Sequence, residues 1–60
     1  MNLGQQLLLK VEGILRKGTV EKIHQEDIDI RLLTGELIQK KFWEVKKINN
    51  EEIEKYKNLP

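Results

Sequence analysis

Apolar and polar residues alternate with period two along most of this chain. Leu7, Leu9 and Val11 alternate with Leu8, Lys10 and Glu12, as in a strand with one buried face. After Gly13 a second run covers residues 14–23. Gly18 lies inside it, and its apolar phase slips, because Val20 and Ile23 are three apart rather than two. An internal glycine with a phase slip predicts a bulge or sharp bend there. Residues 24–27 form a polar turn. The third run is the cleanest, with Ile28, Ile30 and Leu32 inward and Asp29 and Arg31 outward.

Thr34 and Gly35 then supply a tight turn, with Gly35 free to take the positive φ such turns need. In the fourth run, residues 37–45, Leu37, Gln39, Lys41, Trp43 and Val45 alternate with Ile38, Lys40, Phe42 and Glu44. Each set mixes apolar and charged members. Either the strand bends or ends near Lys41, or one of Phe42 and Trp43 lies outside.

The period changes after Ile48. Asn49 is a good N-cap and Glu52 its capping-box partner, with Ile48 and Ile53 placed as a hydrophobic staple. Ile53, Tyr56 and Leu59 recur every three residues, and Pro60 ends the pattern. This predicts a short helix over residues 50–59 resting on the strands, since so few turns do not persist alone in water. The expected fold is mainly β: a small antiparallel β-barrel of four to five strands over residues 7–48, with a short C-terminal α-helix, in one domain spanning residues 1–60.

Sixty residues leave little to spare; a chain of this size buries only about 60% of its unfolded surface. There is no Ala, Cys or Ser, so a disulfide framework and a thiolate metal site are excluded and stability must come from packing or self-association. No apolar run approaches a membrane span and residues 1–6 do not resemble a signal peptide, so the expectation is a soluble, cytoplasmic protein without membrane contact.

The spacing of these elements resembles the small β-barrels of the SH3-like and Sm-like classes. Residues 11–21, with Gly13 and Gly18 five apart around the entry to a bent strand, look like the first half of an Sm-type motif. KOW, Tudor-like and integrase C-terminal barrels share the same spacing. The resemblance covers residues 7–48 and implies a binding barrel. It does not extend to Sm-type ring assembly or RNA binding: too few residues precede Leu7 for a leading helix, and Asp29 puts acid where a base-binding Asn would stand.

Covalent chemistry has few candidates. Without Cys or Ser, no Ser/His or Cys/His nucleophile can form, and His24 sits in a polar turn where solvation is its expected role. Glu26, Asp27 and Asp29 cluster but lack the spaced oxygens and glycine of a calcium loop. The expectation is a non-enzymatic binding module with no cofactor and no metal.

The net charge of +1 argues against a protein sheathed in nucleic acid. Its distribution is uneven: residues 10–17 sum to +2, 21–31 to −2, 36–47 to +2 and 51–57 to −1. If the two basic segments are neighbours, Lys10, Arg16, Lys17, Lys40, Lys41, Lys46 and Lys47 form a basic face around Trp43. Bases stack on exposed aromatic rings while cations hold phosphate, so the face suits RNA or single-stranded DNA. The competing arrangement packs both rings, one in the barrel and one under the helix with Tyr56. A second class of function is a protein-interaction or homo-oligomerisation module, an accessory subunit docking through exposed Leu8, Leu15, Leu33 or Trp43.

Overall fold

A computed structural model describes residues 1–59. Its five strands are β1 (Gln6–Val11), β2 (Ile14–Ile23), β3 (Asp27–Leu32), β4 (Leu37–Lys41) and β5 (Lys46–Lys47), followed by helix α1 (Asn50–Lys55). They form one antiparallel sheet in the order β4-β3-β2-β1-β5. β4 and β5 are its edges, and no ladder joins them to close the sheet among the described residues. The Cα radius of gyration, 10.5 Å, equals the value of about 10.4 Å for a compact chain of this length.

β1 and β2 are joined by Glu12 and Gly13, whose φ values of 53° and 79° give the left-handed pair that a two-residue hairpin turn uses. The alternation of β3 is realised: Ile28, Ile30 and Leu32 are buried, and with Leu7, Leu9 and Val20 they make the core. Ile38, Val11 and Val45 pack around its margin.

The two irregularities of β2 have separate origins. Gly18 is paired regularly with Leu7 on one side and Leu32 on the other, and the bulge lies further on, where the register with β3 shifts between Val20 and Lys22. The extra residue, Glu21, accounts for the three-residue interval between Val20 and Ile23. Gly18 is a glycine because Ile30 fills the space a side chain would need: a β-carbon there would collide with Ile30 Cγ2 and lie 3.3 Å from the Arg31 carbonyl oxygen.

Two further expectations change, and the alternative left open for the fourth run is decided. Leu8, alternating with the core set, is nonetheless buried, so β1 is covered on both faces at its middle, while Lys10 on the same face is exposed. β4 ends at Lys41, and the chain turns into a 3-10 segment, Phe42–Glu44, that buries neither aromatic: Phe42 is 53% and Trp43 59% exposed. Packing of the two rings inside the sheet and under the helix is therefore ruled out. The helix stops at Lys55, with residues 56–58 a turn and Tyr56 as its C-cap. Pro60, the expected stop, lies outside the described residues. Its start is as expected: Asn49 Oδ1 accepts from the Glu52 N–H at 2.9 Å and Glu52 reaches back to the Asn49 N–H. No helix among the described residues is long and apolar enough to cross a membrane.

Candidate functional site

The segment between β4 and β5 crosses from one edge of the sheet to the other and carries the two exposed rings. Its start is fixed twice over. The Phe42 N–H donates to the Glu26 carbonyl at 3.0 Å, tying it to the β2–β3 turn, and Glu44 Oε1 accepts from the Lys41 N–H at 2.9 Å. So held, Phe42 and Trp43 meet edge to face, with centroids 4.9 Å apart and planes at 82°. Such a pair uses one ring face of the four and leaves the others for a ligand.

Each ring borders a different groove. Phe42 lines one of about 370 Å³ with Ile23, His24, Asp27, Val45 and Lys47. Trp43 lines one of about 320 Å³ with Leu8, Lys10, Leu15, Val45 and Lys46. Leu15, 38% exposed, faces the groove from β2, directly across from Lys10 of β1.

Strand register divides the basic candidates between the two sides of the sheet. Arg16, Lys40 and Lys47 are paired with the core residues Leu9, Ile28 and Leu7, which puts them on the core side at its margins. Arg16 Nε is buried there with no hydrogen-bond partner. Lys10, Lys17, Lys41 and Lys46 lie on the other side. On it, Lys17 and Lys46 flank Leu8 from β2 and β5.

Electrostatics divides them again. Lys41 Nζ contacts Asp27 Oδ1 at 2.8 Å and Glu26 at 4.0 Å, and the hydrogen bond to Asp27 holds its pKa above the usual lysine value. Its charge is committed within the protein. Lys46 shares its charge with Glu52 at 3.6 Å, while Lys10 and Lys17 have no acidic partner within ion-pair distance among the described residues.

Toward β3 and β4 the charges on the same side are paired with one another. Arg31 donates to both Glu21 carboxylate oxygens, at 2.7 and 2.9 Å, and this bidentate contact holds the Glu21 carboxyl below its ordinary pKa. Asp29 binds His24 Nε2 and Gln39 Nε2, each at 3.1 Å; the His24 contact is the larger cause of its lowered pKa. The geometry thus gathers Trp43, Lys10, Lys17 and Lys46 on the β5-β1-β2 half and leaves Arg16, Lys40, Lys41 and Lys47 outside that group. Leu15 is the residue that sequence reasoning missed as part of the Trp43 groove; its place opposite Lys10 follows from the two-residue hairpin at Glu12 and Gly13.

Among the described residues no group of three or more His, Cys, Asp or Glu side chains converges to hold a metal ion. Comparison with models of protein families, with curated proteins and with solved structures finds no match to this chain.

Proposed function

We propose that this chain is a small β-barrel-type binding module, of the SH3-like and Sm-like kind, that takes RNA or single-stranded DNA on the side of the sheet bearing Trp43. The observation that supports this reading is exposed Trp43, held edge to face against Phe42, lining a groove with Lys10 and Lys46. Stacking a base on an aromatic face contributes about 1–3 kcal/mol, and nearby cations add a salt-sensitive attraction to phosphate. The barrel assignment draws on the strand order, the hairpin spacing and the short 3-10 crossing that carries the chain from β4 to β5.

Trp43 is the sole tryptophan, so its fluorescence reports on the site directly. Titration with RNA or single-stranded DNA at low salt is expected to quench or shift the emission, with binding that weakens as salt is raised. Phe42→Ala retains the reporter and should weaken binding, and Trp43→Ala, followed by anisotropy of a labelled oligonucleotide, should cost about 5- to 150-fold. No response to any nucleic acid at low salt overturns the reading.

A second reading has its own observation. Leu33 and Leu37, at either end of the β3–β4 turn, are 66% and 48% exposed and offer apolar surface to a partner. It makes the chain a protein-interaction or self-association module acting as an accessory subunit. Sedimentation at high concentration tests the self-association form: a monomer throughout removes it.

A further inference from the structure

Resting on the nucleic-acid reading, a narrower ligand can be argued from what lines the Trp43 groove and what bounds it. Its apolar walls are Trp43, Leu8, Leu9, Leu15 and Val45, its cations among the described residues are Lys10 and Lys46, and its one carboxylate among them, Glu44, already accepts from the Lys41 N–H. No hydroxyl or carboxamide side chain lines it, so it has no neutral polar group with which to read a base edge or a ribose hydroxyl. Besides these charged groups and a stacking face it offers a pyrimidine mostly aliphatic surface, and the pyrimidine feature that aliphatic surface recognises is the thymine C5 methyl.

The boundary sets the ligand's strandedness and length. Lys17, Leu8 and Lys46 are in register across β2, β1 and β5, forming a short line transverse to the strands with Lys10 beside it. One strand beyond Lys17 the same side carries Arg31 bound by Glu21, and Asp29 bound by His24 and Gln39 with Lys22 opposite it, so its charges are already paired and offer little to a phosphate that extends there. A duplex presents charge from both strands and keeps its bases stacked inward, so placing one on Trp43 requires unpairing it. A single strand meets neither obstacle.

We propose that the Trp43 groove selects a short unpaired stretch of DNA bearing thymine, one base resting between Trp43 and Leu15 and its phosphates on Lys10, Lys17 and Lys46. With two free lysines and a third shared with Glu52, two to three phosphates are neutralised. The logarithm of the affinity then falls against the logarithm of salt with a slope of about −1.4 to −2.1.

Fluorescence titrations of the full chain with oligothymidylate, oligodeoxyuridylate and a duplex of the same length, about eight nucleotides, test this. Oligothymidylate should bind tightest; oligodeoxyuridylate, lacking only the methyl, about three- to tenfold more weakly; the duplex at least as weakly as that. Leu15→Ala, at an exposed position, should abolish the thymine preference while the Trp43 response persists. Lys17→Ala should flatten the salt slope by about 0.7 and Lys40→Ala should leave it unchanged. Equal binding of the two oligonucleotides, equal binding of duplex, or equal effects of Lys17→Ala and Lys40→Ala overturns this inference alone. Silence toward every nucleic acid overturns it together with the reading on which it rests.

Discussion

Gly18 and Ile30 share one space: the β-carbon that residue 18 lacks would stand where Ile30 Cγ2 lies. Ile30 is fully buried and β-branched, so it cannot swing aside, and the Arg31 carbonyl closes the other approach. Gly18→Ala is therefore expected to destabilise by about 1–3 kcal/mol through overpacking, exceeding the roughly 0.5–1 kcal/mol that Ala gains over Gly in a strand. Urea denaturation followed by circular dichroism measures it; a stabilised variant would mean that the core yields at this point.

The opposite change at the same contact is also costly. Ile30→Ala should lose about 2–5 kcal/mol through the cavity it opens, enough to unfold much of a population whose total stability is of that order. The readout is the thermal unfolding midpoint, and survival with a small shift would show that Ile30 does not anchor the core.

At the far end of the chain, Asn49→Ala should cost about 1 kcal/mol, since the Glu52 N–H loses its acceptor. The same change loosens Glu52, which also contacts Lys46 at 3.6 Å. Asn49→Asp, which keeps an acceptor, should restore most of the loss; if it does not, the cap is not the cause.

These contacts show how much the residues disclosed in advance. β3 was legible because each inward residue is aliphatic and each outward one charged, and the helix start because its cap is a local pattern. Gly18 was not: a phase slip and a glycine stood close together and shared one explanation, whereas the slip belongs to the bulge at Glu21 and the glycine to a neighbour on β3 twelve positions away. Leu8 alternates as an outward residue, yet it is covered because β5 brings Lys46 alongside it, a pairing that no local pattern announces. For the site, the residue types were visible, but only register separates Lys10, Lys17 and Lys46 from Arg16, Lys40 and Lys47.

Acid should weaken the fold. Asp29 and Glu21 have lowered pKa values in the folded chain, the first through His24 and Gln39, the second through Arg31. Between those values and the unfolded ones near about 4, the unfolded chain binds more protons, so stability is full above that range and falls as pH drops through it. Thermal midpoints measured from about pH 6 down to about pH 2 should show the fall. Asp29→Asn should lower the midpoint at neutral pH and make the profile shallower at acid pH; an unchanged profile would mean that Asp29 carries none of it.

β5 is two residues long, and its ladder joins Leu7 to Lys47 across most of the chain. So distant a pairing is the slowest to close and, being so short, the first to let go. The Ile48 amide, which donates to Gln6 at 3.2 Å, should therefore exchange with solvent deuterium well before that of Ile30. The aromatic crossing is attached at one end to this clasp, so opening of β5 is expected to widen the groove that Trp43 lines with Leu8 and Leu15. A ligand seated there acts as the missing length of β5, and slower exchange at Ile48 is the mark it would leave.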